Sequence, residues 1–359
     1  MKIALVYDRV NKWGGAERFL LQLHEIFPDA CLYTSVHNPK TASWAKVFPK
    51  IYTSFIQNLP FAKTHHDWYA IFMPFAFEQF NFDQYDLVIS ITSESAKGII
   101  TKPKTQHICI CLTPTRYLWS GYEEYFRNSI IKFLTKPIVR YLRNWDKVAA
   151  QRPDKIIAIS TEVKKRIEKY YGRKSEIIFP GYEEFKDKDK SKLNAKDYFL
   201  VVSRLVPYKK VELAIKTFNR LNLSLVIVGT GSQEWKLKLM AGKNIKFLGL
   251  VNDSDLVYLY KNCNALIFPQ NEDFGLTVLE CQHFGKPVIA YESGGAKDTI
   301  IDGKTGIFFE KQTEESLMDA LKTFQNTKFD AKLISLKARK FSKGNFKEVL
   351  IKIINGGHI

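Results

Sequence analysis

The chain has 359 residues, 45% of them apolar and 14% aromatic, which excludes a disordered polypeptide and sets two domains as the first expectation. Five scattered cysteines exclude a disulfide scaffold and suit reduced thiols in a cytoplasmic protein, and no apolar run approaches the roughly 20 residues of a spanning helix. The net charge of +17 is spread over both halves, so it favours anionic partners without choosing among phosphorylated substrates, an anionic membrane face and nucleic acid.

In chain order, residues 2–7 (KIALVY) read as a buried parallel strand, not as part of a signal peptide. The loop Asp8–Gly15 follows, with a helical pattern from Ala16 to about Phe27 and a strand near Cys31–Tyr33. Residues 55–82 are unusually aromatic. Strands recur at Asp86–Ser90, His107–Cys111 and Lys155–Ile159, where Cys109 and Cys111 read as small core residues. The charged stretch 182–197 is the expected linker. A second series places strands at Tyr198–Ser203, Leu223–Val228, Ile245–Leu248, Ala265–Phe268, Val288–Ala290 and Ile307–Phe309. Helical spacing over Ala338–Ile354 predicts a last helix that returns to the first domain. Strand–helix alternation implies βαβ units on parallel sheets, so the expected class is α/β with two doubly wound, Rossmann-like domains. Their expected bounds are 1–185 and 186–340, with 341–359 as the returning helix, and the expected ligand cleft lies between them.

Four stretches could carry chemistry. Trp13-Gly14-Gly15-Ala16-Glu17 opens a helix after the first strand, where paired glycines bring N–H groups to a phosphate, although a plain turn explains them equally well. The spacing is not that of a dinucleotide-binding fingerprint. In Ser203-Arg204-Leu205-Val206-Pro207-Tyr208-Lys209, two cations five residues apart can converge on a pyrophosphate. The turn around Gly229 and Gly231 suits either ligand approach or tight backbone packing. Residues 268–285 (FPQNEDFGLTVLECQHFG) place Glu272 in a loop, Phe274-Gly275-Leu276 at a helix start near Thr277, and Glu280 inside that helix. Asp253-Ser254-Asp255 looks like a metal motif, but it precedes a helical run and is better explained by capping. Asp187-Lys188-Asp189 lies in the linker.

Taken together, SRLVPYK, EDFGLTVLE, GKPVIAYESGG and DGKTGIFF resemble the retaining family 4 glycosyltransferases of GT-B fold. CLTPTRYLW and HHDWYAIFMPFAFEQF resemble the branch that includes O-antigen mannosyltransferases. The resemblance implies a hexosyltransferase that uses a nucleotide-sugar, GDP-mannose ahead of UDP-hexoses, with no cofactor and no metal. The implied acceptor is a glycan or polyprenyl-linked glycan of surface polysaccharide synthesis. Arg204 and Lys209 match the pair that neutralises the donor diphosphate, and Glu272 matches the carboxylate that faces the transferred sugar. Glu280 matches the carboxylate on the ribose. Backbone at Phe274, Gly275 and Leu276 would hold sugar or phosphate, with Gly14, Gly15 and Gly229 completing the donor set. On the acceptor side the branch carries a histidine where this chain has Leu112. His65, His66 and His107 are candidate substitutes, His66 foremost, although a surface or satisfied histidine explains each of them better, and Arg116 and Trp119 remain near that site. Other readings are a nucleotide-sugar epimerase and a weakly catalytic nucleotide- or glycan-binding protein. Nucleic acid is not expected as a partner, because no motif that reads it is present.

Residues 127–152 carry seven basic residues against one acid, Asp146. Lys132, Lys136 and Arg140 recur every four positions, on a different face from Ile131, Leu134 and Ile138. Two readings fit: a basic amphipathic helix that holds a cytoplasmic protein to the inner face of the membrane, and a domain helix with a solvated basic face.

Overall fold

The computed structural model describes residues 1–182 and 191–357. It divides into two compact units, Met1–Phe179 with Val349–Ile359, and Pro180–Glu348. Much of the expected linker, the 185/186 boundary and Asp187-Lys188-Asp189 lie outside the described residues.

Unit 1 holds a parallel sheet of β1 (Ile3–Tyr7), β2 (Cys31–Thr34), β3 (Ile51–Thr53), β4 (Leu87–Thr92), β5 (Gln106–Cys111), β6 (Lys155–Ala158) and β7 (Glu176–Ile177), in the order β3-β2-β1-β4-β5-β6-β7. The order reverses between β1 and β4, so their following loops leave in opposite directions and open a crevice at the strands' carboxyl ends. The aromatic stretch splits. Phe77, Phe80 and Phe82 pack with Tyr33 in the core, whereas Phe61, Trp68, Phe72 and Phe75 are exposed. The basic region forms the helix Ser129–Ala149, capped by Asn128, whose Oδ1 accepts from Ile130 N at 2.9 Å. Val139, Leu142 and Asp146 face inward from its second half. The last helix, Lys343–Ile354, reaches unit 1 from Val349 on, where Lys155 Nζ donates to Ile353 O at 3.0 Å.

Unit 2 holds β8 (Phe199–Val202), β9 (Leu225–Val228), β10 (Ile245–Gly249), β11 (Leu266–Phe268), β12 (Val288–Tyr291) and β13 (Gly306–Phe309), all parallel, in the order β10-β9-β8-β11-β12-β13. Successive side chains enter opposite cores: Val201, Ile227, Ile267 and Ile289 on one face, Leu200, Val226, Leu266 and Val288 on the other. Burial on both faces explains why these strands read as unbroken apolar runs. The reversal falls between β8 and β11, which places the loops after these two strands side by side. Asp253 and Asp255 stand in the first turn of the helix Asp253–Asn262, capped by Asn252, whose side chain accepts from Asp255 N at 2.9 Å.

Candidate active site

In unit 2, the loop after β8 ends in a short 3-10 turn, Pro207–Lys209, and the helix Val211–Leu221 follows. That turn brings Lys209, only 9% exposed, to the carboxylate of Glu272 from the loop after β11, and the two form an ion pair. Gln270 Nε2 donates to the same Glu272 oxygen at 3.3 Å. Arg204 is exposed and donates through Nη2 to the Tyr208 hydroxyl.

Glycines hold these loops by close backbone packing. A Cβ on Gly294 would meet Glu272 O at 2.0 Å, one on Gly295 would meet the Phe274 Cα at 2.2 Å, and Gly295 N donates to Glu272 O at 2.9 Å. Gly229, at φ 126°, lies against Ser203 O, which a Cβ would meet at 1.9 Å. For Gly229 the observed close approach is thus backbone to backbone. Gly275, at φ 91°, starts the helix Leu276–His283. The helix geometry leaves the N–H groups of Leu276 and Thr277 without intrahelical partners, at its positive end. Glu280, one turn further, is 1% exposed and accepts from the Tyr260 hydroxyl at 2.8 Å.

Lys209, Glu272, Phe274 and Gly275 are therefore brought to one end of the sheet, with Arg204 on the same loop as Lys209. Tyr260 carried no signal in the sequence, because it sits in no motif, and Gln270, although inside the stretch 268–285, was not singled out there.

In unit 1, Gly14 precedes the helix Gly15–Ile26, and its carbonyl accepts from Arg18 N at 3.1 Å. Asp8, at the end of β1, is 3% exposed and accepts six hydrogen bonds from residues 92–96: Thr92 Oγ1 at 2.9 Å, Ser93 N at 2.6 Å and its Oγ at 3.3 Å, Glu94 N at 3.0 Å, Ser95 N at 2.9 Å and Ala96 N at 2.8 Å. Arg9 pairs with Glu94. His66 Nδ1 meets Asn11 Nδ2 at 3.2 Å, and burial, then the charge of Arg9, pushes the ring down to about 4.

The other acceptor-side expectations fare differently. Trp119 donates through Nε1 to Asp146 at 2.7 Å and stacks on Tyr170 at 5.1 Å, so its polar edge serves the interior. Asp146 also accepts from Tyr171 at 2.8 Å and Thr115 at 2.9 Å, and pairs with Lys97 at 2.5 Å, both partners 1% exposed. Burial pushes the Lys97 amine down, but Asp146 outweighs it and the result is raised. His107 is fully buried and bonded to Ser90 at 2.8 Å, which makes it part of the core and unsuitable for an acceptor. Arg116 is half-buried, and its carbonyl accepts from Gly121 N at 2.8 Å. Leu112, 8% exposed, follows β5 with its N–H on Thr92 O at 2.8 Å.

Two doubly wound parallel units with this strand order define the GT-B class of fold. The solved structure of Anabaena Alr3699/HepE in complex with UDP and glucose matches with a TM-score of 0.72 at 18% identity, covering 99% of this chain and 100% of that one. Residues 183–341 match the family model described as "Glycosyl transferases group 1". Among curated proteins, the chain is 26% identical over 208 residues to the uncharacterized glycosyltransferase MJ1178 of Methanocaldococcus jannaschii, covering 56% of this chain and 58% of that protein. It is 28% identical over 202 residues to the O-antigen chain mannosyltransferase C of Escherichia coli, covering 52% and 53%. The chain thus spans little more than half the length of these curated relatives.

Proposed function

We propose that the protein is a hexosyltransferase that moves a sugar from a nucleotide-sugar to a glycan or polyprenyl-linked glycan in surface polysaccharide synthesis. The observation that carries the reading is the Lys209–Glu272 pair at the start of the helix Leu276–His283, inside the stretch that matches the glycosyl transferases group 1 model. In this reading Lys209 and Arg204 take the donor diphosphate, where negative charge accumulates as the leaving group departs, and the helix N–H groups add to them. Binding exchanges the Lys209–Glu272 contact for two others: Lys209 turns to phosphate and Glu272 to the hexose. Glu280, held by Tyr260, takes the ribose hydroxyls.

Family 4 membership, retention at the anomeric carbon and independence of metal belong to the same proposal. The donor is GDP-mannose, supported by the similarity to a mannosyltransferase. UDP-glucose is the alternative, supported by the UDP and glucose in the complex of the Anabaena protein. Arg116 stays on the acceptor side with His66. The place is the cytoplasmic face of a membrane, reached through the helix Ser129–Ala149. In its first half Ile130, Phe133 and Leu134 are exposed, Phe133 to 76%. Among the described residues no helix is long and apolar enough to cross a membrane.

Calorimetry with UDP, GDP and their hexose conjugates, followed by donor-turnover assays, tests the reading. Lys209→Ala and Glu272→Ala should each lower turnover about 100- to 1000-fold in a folded protein. Near-normal rates in both variants would reject the site. Leu112 favours one second reading, a nucleotide- or glycan-binding protein with little activity. Tight donor binding with no turnover on any acceptor selects it.

A further inference from the structure

The crevice of unit 1 holds a polar cluster that the donor chemistry leaves unused. Arg9 and Glu94 stand on the loops after β1 and β4, on either side of the point where strand order reverses, which is where open α/β sheets take ligands. Glu94 is anchored from below. Its N–H is one of the groups bonded to Asp8 at 3.0 Å, and its carbonyl accepts from Lys97 Nζ, itself paired with Asp146. A solvated surface ion pair requires no such foundation.

The cluster's charges and protons are well defined. Arg9 and Glu94 neutralise each other. Burial pushes the Glu94 carboxyl up, yet Arg9, with His66, holds it below the usual carboxylate range, so it is an acceptor. Arg9 Nε is buried with no hydrogen-bond partner among the described residues. Asn11 Nδ2 can only donate, and its other contact is Lys63 O at 3.2 Å, so His66 Nδ1 accepts from it. The ring is therefore neutral with its proton on Nε2, a second donor. Fixed donors beside a fixed carboxylate, without net charge, suit hydroxyl groups, which both give and take a hydrogen bond. They do not suit phosphate, which Glu94 would repel. Leu112 follows β5 and bonds through its N–H to Thr92 O at 2.8 Å, so the position where the resemblance expects a histidine lies at the end of the strand next to the one whose loop carries Glu94.

We propose that Arg9, Glu94 and His66 form a subsite in unit 1 for a neutral pyranose. The identity of that sugar as part of the acceptor rests on the glycosyltransferase reading; the binding does not.

The test uses the full chain with methyl α-D-mannopyranoside, followed by saturation-transfer NMR, and with UDP, followed by calorimetry. The glycoside should bind saturably, and Glu94→Gln and His66→Ala should each weaken it about five-fold or more, as expected for one lost hydrogen bond to a charged or fixed partner. UDP affinity should not change in either variant. Glu94→Gln keeps the backbone N–H on Asp8 but takes the ion pair from Arg9, so the variant should still unfold cooperatively, at a lower midpoint than the natural chain, and should be folded at the temperature of the binding measurements. Lys209→Ala should do the reverse, weakening UDP and sparing the glycoside. Equal glycoside affinity in all three proteins, or no saturable glycoside binding while UDP binds, overturns the subsite. Displacement of the glycoside by inorganic phosphate overturns its neutral character. If the natural chain binds glycoside but neither UDP nor GDP, the glycosyltransferase reading fails and the subsite stands.

Discussion

The two units share the order β3-β2-β1-β4 and β10-β9-β8-β11 around their reversals, yet they hold their loops by different means. In unit 2 the loops are locked by glycine against backbone: Gly229 on Ser203, Gly294 on Glu272 and Gly295 on Phe274. In unit 1 they are locked by buried charge, with Asp8 under residues 92–96 and Asp146 joining Lys97, Thr115, Trp119 and Tyr171. Glycine packing needs a glycine at the point of contact, whatever lies opposite, and so leaves a visible mark in the sequence. Buried ions draw partners from distant positions and leave none. The contrast makes unit 1 the more exposed to single substitutions and to acid.

The largest effect should come from breaking the ionic lock. Asp146→Ala leaves Lys97 charged, buried and unpaired, at a cost of about 3–5 kcal/mol. Removing both charges together, with Lys97→Met and Asp146→Leu, should recover most of that loss, because two desolvation costs disappear with the pair. Denaturant unfolding followed by hydrogen exchange checks both. Protection should fall in β4, β5 and the helix Thr161–Tyr171, while β8 and β11 keep theirs. A loss below about 1 kcal/mol for Asp146→Ala would mean that the charges do not lock unit 1 and would erase the contrast.

Acid sharpens the same comparison on a smaller scale. His66 lies near Arg9, Glu94, Asp67 and Lys12, and its folded value is about 4 against 6.5. His107 is pushed further, to about 3, by burial and then by Arg173 and Arg152. Between pH 6.5 and 4 the unfolded chain binds protons that the folded one refuses, so stability falls as the pH drops through that window. His66→Gln removes one of those protons and should flatten the slope, worth on the order of 1–2 kcal/mol across the window. Unfolding midpoints at pH 7, 6, 5 and 4.5 measure it. An unchanged slope would mean that His66 is hydrated and freely protonated, which would also weaken its place in the sugar subsite.

Legibility in the sequence follows the same division. All six strands of unit 2 stand where the apolar runs predict them; the central ones, β9, β8, β11 and β12, are buried on both faces and cannot hide their composition. In unit 1 the edge strands Ile51–Thr53 and Glu176–Ile177 escaped, being too short for any period to show. The stretch 268–285 announced a helix start with flanking carboxylates, and the Arg204 and Lys209 loop announced its cations; what it could not announce was that Lys209 would close on Glu272. Trp119 looked like a contact for sugar because its hydrogen-bond partner, Asp146, lies 27 positions away on a different element. The same residue, set among basic neighbours on the helix Ser129–Ala149, read as part of a surface charge pattern. Arg9 and Glu94, 85 positions apart, were invisible for the same reason.

The most local effect tests whether the two carboxylates at the sheet ends are held for similar reasons. Glu94 is fixed by Arg9 and by the backbone bonds to Asp8; Glu280 is fixed by Tyr260. Tyr260→Phe removes one neutral donor from a charged acceptor and leaves the ring packed in the core shared by Leu200 and Val278. It should cost about 1.5–3 kcal/mol in total, divided between folding and nucleotide affinity. If Glu280 takes the ribose hydroxyls, part of the loss appears as roughly five-fold weaker binding of UDP and GDP alike, because the carboxylate is no longer aimed. Uridine and guanosine diphosphates must suffer equally, since the ribose is common to both and the base is not. A loss confined to thermal stability, with nucleotide affinity intact, would make Glu280 a buried strut of unit 2 and leave Lys209 and Glu272 as the working end of the site.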